Sequence, residues 1–218
     1  MRVAIVTFYD NKERYILAGN RQRQSLIDVN FSMDDYYQFR NYAEIDSPTH
    51  QELPYAFKVK SIDKVRKMGY DIVIWFDSAI YAVKDFTHFL KHVKQNGNAF
   101  FDNIGFTIGS YTNDICLKKM RMARKTANQH PMIMACLMAF NFKDKKCKKM
   151  FKQFYDSAIP ECFDGDWADH RHDQSAMSII LAKNKVKPLH PNNTFFAYTN
   201  HPGHLPHADT LCFLSQGY

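Results

Sequence analysis

Two groups of acidic residues carry the clearest chemical signal in the sequence. Asp77 follows directly on the apolar run from Ile72 to Phe76. An ionised carboxylate in that position is costly unless it caps a helix, pairs with a base or binds a metal ion. The second group runs from Asp164 to Gln174 and places four carboxylates, two histidines and an arginine ahead of an apolar helix. Both groups are candidates for proton transfer or cation binding.

Each group also has a purely structural interpretation. Asp77 suits the cap of a short turn that begins at Ser78, and Asp173 suits the N-cap of the following helix, with Gln174 in its first turn. Capping accounts for Asp173 alone and leaves the rest of the second group unexplained. Both interpretations stay open at this level.

A third group lies in the C-terminal tail. The spacing of His201, His204 and His207, with Cys212 nearby, is compatible with a zinc site. The Pro and Gly residues between these histidines favour an irregular loop instead. A hydrolase or metal-binding protein built on this tail is therefore the weakest hypothesis.

The elements that must position these groups alternate between strands and helices. Strands are predicted at 2–7, 71–77, from Ala99 onwards and at 132–142, with shorter ones at 195–198 and 211–214. Helices are predicted in two pieces between residues 20 and 42, from Pro54 to a stop at Gly69, and at 85–95, 113–125, 143–152 and 173–183. This order predicts an α/β fold with a mostly parallel sheet flanked by helices. Ligands bind beyond the carboxyl ends of such strands, which places residues 7–10 beside residues 77–79.

Composition and charge limit the alternatives. The chain has 218 residues, of which 45% are hydrophobic, so it is long enough to bury a core as a single globular domain and is not disordered. Its apolar runs fall far short of the roughly 20 residues that a membrane span needs. Without a signal peptide pattern, and with an odd set of 5 cysteines lacking a C-x-x-C pair, we expect a cytoplasmic protein with reduced thiols.

The net charge of +7 favours anionic partners. Much of the excess lies in the lysine-rich stretch 143–152, whose apolar residues recur at helical spacing. A solvated face of an amphipathic helix is the favoured interpretation, and a basic nucleic-acid-binding module is the alternative function. The sequence contains no phosphate-binding P-loop, no G-x-G-x-x-G after the first strand, no G-x-S-x-G and no H-E-x-x-H.

Four stretches together resemble the small nucleotide-sugar glycosyltransferases of the GT-A fold, including their glycogenin-like branch. They are residues 3–9, residues 54–58 leading to 69–78, residues 112–114, and residues 170–174. The resemblance covers nearly the whole chain. It implies a nucleotide-binding half at 1–110 and an acceptor and sugar half at 111–218.

The resemblance also implies roles for individual residues. Donor binding would fall to Thr7, Phe8, Tyr9, Lys58, Asp77, Ser78, Asn113, Asp114 and His172. Asp173 and Gln174 would be catalytic, facing the donor sugar and the acceptor. Asp77 matches the first carboxylate of a D-x-D motif that holds Mn²⁺ or Mg²⁺, with His204 as a further ligand, although Ala79 replaces the second carboxylate. Trp75, Tyr81, Tyr111 and Trp167 are candidates to stack on sugar or base, or else core residues.

The activity implied by this resemblance is transfer of a hexose from a UDP or GDP sugar to a glycan or protein-linked glycan acceptor. A sugar diphosphate leaving group develops negative charge that a cation must stabilise, while a carboxylate acts on the acceptor hydroxyl or near the anomeric carbon. Whether transfer inverts or retains configuration stays open. The expected partners are the nucleotide-sugar donor and the glycan acceptor, with nucleic acid disfavoured.

Overall fold

The larger sheet has five strands. In a computed structural model that describes residues 1–191, 194–198 and 209–216, these are β1 (Val3–Phe8), β2 (Tyr36–Phe39), β3 (Ile72–Phe76), β5 (Asn98–Thr107) and β6 (Pro131–Asn141). Their spatial order is β2, β1, β3, β6, β5. Strand β1 pairs parallel with β2 and β3, whereas β6 pairs antiparallel with β3 and β5. Strand β6 is therefore antiparallel to the other four strands, which are parallel to one another, so the sheet is mostly parallel.

Helices cover both faces of this sheet. They are α1 (Glu13–Asp28), α2 (Ala56–Lys67), α3 (Thr87–Asn96), α4 (Asp114–Lys119), α5 (Arg124–Ala127), α6 (Lys145–Asp156), α7 (Pro160–Phe163) and α8 (His172–Lys183). A smaller sheet, in the order β4, β8, β7, consists of Ile80–Ala82 (β4), Phe196–Tyr198 (β7) and Phe213–Ser215 (β8). None of the helices in the described ranges is long and apolar enough to cross a lipid bilayer.

Strand β3 shows how the core is divided. Its side chains alternate between the two faces of the sheet. Val73 and Trp75 join a core with α2, α6 and α8, whereas Ile74 and Phe76 join a second core with α1, α3 and the smaller sheet. Because both faces are covered, the strand is apolar without interruption, as the sequence predicted.

Helix α6 confirms the amphipathic interpretation of the lysine-rich stretch. Its buried residues are Cys147, Met150, Phe151 and Phe154, and the intervening lysines are exposed. This helix packs its apolar face against the core shared with α2 and α8.

Three local predictions were wrong. The second of the two helices predicted between residues 20 and 42 does not form, and only a 3-10 turn precedes β2, whose aromatic residues favour a strand. The single helix predicted at 113–125 is split because Arg121 adopts a left-handed φ of 52° and closes α4 with a Schellman-type turn. Strand β4 was missed because its partner β8 lies over 130 residues away in sequence, at residues 213–215.

Candidate active site

The centre of the candidate site is a buried lysine held by two carboxylates. Lys58 Nζ lies 3.0 Å from Asp77 Oδ1 and 3.2 Å from Asp173 Oδ2, and it donates a hydrogen bond to the Ala135 carbonyl oxygen at 3.1 Å. The Lys58 side chain is 4% exposed and that of Asp173 3%, whereas Asp77 is 34% exposed. We call Lys58, Asp77 and Asp173 the ion cluster.

The sequence of α2 explains why a lysine enters the core. Lys58, Ile62 and Val65 follow one another at spacings of four and three residues, so they share the buried face of the helix. A charge on that face requires partners of opposite charge. Asp77 supplies one from the end of β3 and Asp173 supplies the other from the first turn of α8, where the helix dipole favours a carboxylate.

Both acidic members of the ion cluster are tightly placed. Asp77 Oδ1 also accepts a hydrogen bond from Trp75 Nε1 at 2.7 Å, and the Asp77 backbone N–H donates to the Cys136 carbonyl oxygen. Asp173 Oδ2 is buried and, despite its ion-pair distance to Lys58, makes no hydrogen bond within the described ranges. The Lys58 ammonium is therefore the ionic partner of this oxygen, and the geometry leaves room for a further donor.

Burial has different net effects on the pKa values of Asp173 and Lys58. Burial raises the pKa of Asp173 to about 6, because the attraction of Lys58 only partly offsets the loss of hydration and Asp77 adds repulsion. For Lys58 burial alone would lower the pKa, but Asp173 and Asp77 together hold the pKa above a lysine's ordinary value. Near neutral pH the lysine is therefore charged, and Asp173 lies within about one unit of taking up a proton.

Two cavities meet at the ion cluster. The larger has a volume of about 670 Å³ and the smaller about 340 Å³. Four residues line both of them: Tyr55, Lys58, Asp77 and Tyr198. A molecule in one cavity can therefore approach a molecule in the other at Lys58 and Asp77.

Aromatic rings dominate the larger cavity, which lies beyond the carboxyl ends of β1 and β3. The Phe8 ring lies 4.7 Å from those of both Phe57 and Tyr42, and the His50 and Tyr55 rings are also 4.7 Å apart. Lys12 adds a positive charge to the rim, although it pairs with Asp10 at 3.3 Å. Flat apolar walls with a few cations suit a nucleoside and its phosphates.

The smaller cavity is formed by β5, β6 and the segment before α8. It is lined by Asp173, Gln174, Arg171 and Trp167, together with Asn103, Ile104, Phe106, Met134, Ala135 and Cys136. Trp167 is 50% exposed, which is unusual for so large an apolar side chain. Asp173, whose pKa is raised, lines this smaller cavity and not the larger one.

The predicted donor and catalytic residues differ in which cavity they line. Phe8, Tyr9, Lys58, Asp77 and Ser78 line the larger cavity, and the predicted catalytic residues Asp173 and Gln174 line the smaller one. The remaining four, Thr7, Asn113, Asp114 and His172, are absent from both linings.

Each of these four has a structural role. Thr7 is fully buried within β1. Asn113 caps α4 by accepting a hydrogen bond from the Cys116 N–H, and Asp114 forms an ion pair with Arg124. His172, at φ 47°, places Nδ1 at 2.8 Å from the Phe163 carbonyl oxygen and lies against Trp167 and Tyr55. Neither cavity lining supports a contact between these four residues and the donor, and their part in donor binding stays a prediction.

The candidate stacking residues also separate. Trp75 is fully buried and positions Asp77, so it belongs to the core. Tyr81 packs under Arg21 and lines neither cavity. Tyr111 lies beneath Arg171, whose other neighbour is Trp167. Of the four, only Trp167 borders a cavity.

A preformed site for Mn²⁺ or Mg²⁺ with three protein ligands is absent from the described residues, and a metal held by Asp77 together with the donor diphosphate stays a prediction. Within residues 1–191, 194–198 and 209–216, no three His, Cys, Asp or Glu side chains are grouped so that they could hold a metal ion. Asp77 Oδ1 is already engaged by Trp75 and Lys58, and the Ala79 side chain offers no ligand atom. His204, the other predicted ligand, lies outside the described residues. The cation beside Asp77 is the Lys58 ammonium.

Several lining residues were not identified from sequence. Tyr55 and Tyr198 line both cavities, and Tyr42, His50 and Phe57 complete the aromatic wall. Tyr55 and Phe57 precede Lys58 in the stretch 54–58, so the signal was present there. Tyr198 carried no such signal, because β7 reaches the site only through pairing with β8.

Comparison with known proteins supports the fold. No family model and no curated protein sequence matches the chain. Among solved structures, apo WbbM, a bifunctional glycosyltransferase, superimposes with a TM-score of 0.61 at 15% identity, over 98% of this chain and 45% of WbbM. A glycosyltransferase involved in glycosylation of the major capsid of PBCV-1 gives a TM-score of 0.60 at 13% identity, over 99% of this chain and 93% of its own.

The chain thus spans less than half of WbbM but nearly all of the PBCV-1 enzyme. The chain shares the fold of these two solved structures, and the predicted arrangement of a mostly parallel sheet flanked by helices is confirmed.

Proposed function

We propose that this protein is a glycosyltransferase that moves a hexose from a UDP or GDP sugar to a glycan or protein-linked glycan acceptor. The ion cluster carries the proposal, because it places a cation and a carboxylate of raised pKa where two cavities meet. The likeness of fold to known glycosyltransferases supports the same activity. At 13 to 15% identity, that likeness defines the fold and leaves substrates to experiment.

In this proposal the larger cavity takes the nucleotide. The base and ribose would lie against the aromatic wall formed by Phe8, Tyr42, His50 and Phe57. The diphosphate would then extend towards Lys58 and Lys12, and the donor sugar would reach the junction. Positive charge placed in advance where the diphosphate leaves stabilises the transition state.

The smaller cavity takes the acceptor. Asp173 would accept the proton of the acceptor hydroxyl, or act near the anomeric carbon, and Gln174 would orient the sugar beside it. When Asp173 takes up a proton, one of the two negative charges around Lys58 disappears. The ammonium is then less neutralised and attracts the departing diphosphate more strongly. No step in this scheme passes through a divalent cation.

The proposal is tested by offering the purified protein UDP-glucose, UDP-galactose, UDP-N-acetylglucosamine, GDP-mannose and GDP-fucose, and measuring release of UDP or GDP. We expect release from at least one of them, accelerated by a glycan acceptor. Asp77→Asn should abolish it, whereas Asp114→Asn, which changes an exposed carboxylate outside both cavities, should retain it. Equal activity in both variants would contradict the assigned site.

Melting temperatures with UDP and with GDP identify the nucleotide independently of turnover. A ligand that binds only the folded state raises the melting temperature. A selective rise with one nucleotide supports the proposal. The absence of a rise with either, together with salt-sensitive binding of nucleic acid, would instead favour a basic binding module.

A further inference from the structure

Arg171, a further cation of the site, has no anionic partner among the described residues. Its guanidinium carbon lies 4.1 Å from the centre of the Trp167 ring and 4.6 Å from that of Tyr111, so the planar group is held between two aromatic side chains. Arg171 lines the smaller cavity together with Asp173. Stacking of this kind fixes the orientation of a guanidinium and leaves its N–H edge free to bind.

The contrast with Lys58 is informative. Lys58 is committed to two carboxylates and a carbonyl oxygen. Across the residues that the structure describes, the Arg171 guanidinium forms no ion pair and no hydrogen bond, and all hydrogen bonds of this residue are made by its backbone N–H and carbonyl groups. A guanidinium offers five N–H donors arranged as a fork that matches a carboxylate or phosphate.

The backbone contacts fix the position of this side chain. Because the Arg171 N–H donates to the Tyr111 carbonyl at 3.0 Å, the segment before α8 is tied to the segment before α4. The Ser175 hydroxyl also donates to the Tyr111 carbonyl, at 2.8 Å. The guanidinium is therefore pre-organised, and an anion that binds it does not have to order it first.

The position of Arg171 separates acceptor from donor recognition. Arg171 lines the cavity that contains Asp173 and is absent from the lining of the larger, aromatic cavity. A group bound to its N–H edge therefore lies on the side of the ion cluster where the acceptor hydroxyl must approach Asp173. The half-exposed Trp167 adds an apolar wall of the kind that packs against a sugar ring.

We propose that Arg171 is a specificity-determining residue that binds an anionic group of the acceptor, either the carboxylate of an acidic sugar or a phosphate. This inference rests on the proposed function and adds the chemical class of the acceptor. The anion anchors the acceptor through a bidentate contact with Arg171 while its hydroxyl points to Asp173. A neutral glycan lacks this anchor.

Matched sugars test the inference directly. Methyl β-D-glucuronide, methyl β-D-glucoside and glucose 6-phosphate are titrated into the wild-type protein in the presence of saturating UDP or GDP, and dissociation constants are measured by ligand-observed NMR. We expect the glucuronide or the phosphate to bind about tenfold or more tightly than the glucoside, as hydrogen bonds to a charged group imply. The preferred anion distinguishes a carboxylate from a phosphate acceptor.

Variants assign the preference to one side chain. Arg171→Gln should remove the preference for the anion while leaving the affinity for the glucoside and for UDP or GDP unchanged, and Arg171→Lys should retain part of it. Arg23→Gln removes the same charge from the exposed surface of α1 and should retain it fully. Melting temperatures of all variants check that the fold is intact.

Three results would overturn the inference. The first is equal binding of the anionic and neutral sugars by the wild type, and the second is equal weakening of both sugars by Arg171→Gln. The third is weakening of the nucleotide as much as of the acidic sugar, which would make Arg171 a donor contact. Failure of the proposed function is separate, because it appears as absence of nucleotide binding in the wild type. Anion selectivity that depends on Arg171 is measurable in either case.

Discussion

The two cavities share a wall but are built in different ways. The larger is lined by aromatic rings and lies beyond the carboxyl ends of the adjacent parallel strands β1 and β3. The smaller is a charged space assembled from β5, β6 and the segment before α8, and it contains Asp173, Gln174 and Arg171. The difference suggests a division of labour, in which one cavity recognises a flat ligand and the other performs proton transfer. The predictions below test that division.

The largest expected effect is on turnover. Asp173→Asn keeps the shape of the side chain but cannot accept a proton, so we expect turnover to fall about 10²- to 10⁴-fold, the usual contribution of a general base. Affinity for UDP or GDP should change little, because Asp173 does not line the larger cavity. Steady-state kinetics and calorimetric titration measure the two quantities, with Asp114→Asn as the control. A parallel loss of nucleotide affinity would contradict the division.

Removing Lys58, the cation that lines both cavities, should affect stability as well as activity. Lys58→Met leaves Asp77 and Asp173 without their counter-ion, and breaking a buried ion pair on one side costs about 3–5 kcal/mol. Denaturant unfolding measures this change. Lys60→Met, on the same helix, removes a hydrogen bond to the Tyr155 hydroxyl and should cost far less.

The pH dependence of the stability lost in Lys58→Met gives a second check. Burial already raises the pKa of Asp173 in the wild type, and loss of the Lys58 ammonium should raise that pKa further, so the folded variant binds this proton more tightly. The difference in unfolding free energy between wild type and Lys58→Met should therefore narrow from pH 8 to pH 5. A difference that stays constant would show that Asp173 does not depend on Lys58.

A change in α1 should affect the larger cavity alone. A Cβ atom added at Gly19 would overlap the ring of Tyr9, which lines that cavity. Glycine to alanine normally stabilises a helix, but here the ring must move, and we expect a loss of about 1–3 kcal/mol together with weaker nucleotide binding. The exposed neighbour Asn20→Ala serves as control. Stabilisation by Gly19→Ala would contradict the close packing of Tyr9.

The smallest expected effect concerns position 79, where Ala79 replaces the second carboxylate of the D-x-D motif. In the wild type, Lys58 is the cation beside Asp77, so we expect UDP or GDP affinity to differ little between Mn²⁺ and EDTA. Ala79→Asp places a second carboxylate on the wall of the larger cavity and should make affinity rise about tenfold with Mn²⁺. The neutral Ala79→Asn should not. Strong Mn²⁺ dependence in the wild type would show that Lys58 is not the cation that stabilises the diphosphate.

Sequence reasoning was most effective where local pattern and topology coincide. The apolar run that became β3 fixed both the centre of the sheet and the position of Asp77 at its end. The helical spacing after Pro54 gave α2, but it did not show that Lys58 enters the core. That required the carboxylates from β3 and α8, whose proximity depends on packing between elements far apart in sequence.

The errors have the same physical origin. Asn113 and Asp114 fit a motif by order and spacing, yet one caps α4 and the other pairs with Arg124. Tyr198 lines both cavities only because β7 pairs with β8, and no local pattern specifies that pairing. Side chains whose position depends on long-range strand pairing are therefore the part of the site that sequence alone did not provide.

A crystal structure with bound UDP or GDP, whichever raises the melting temperature, tests the central claim most directly. We predict that the base lies in the larger cavity against Tyr42, His50 and Phe57, with the diphosphate within hydrogen-bonding reach of Lys58 or Lys12 and the smaller cavity left open beside Asp173. A nucleotide bound in the smaller cavity, or on the lysine-rich face of α6, would contradict the account.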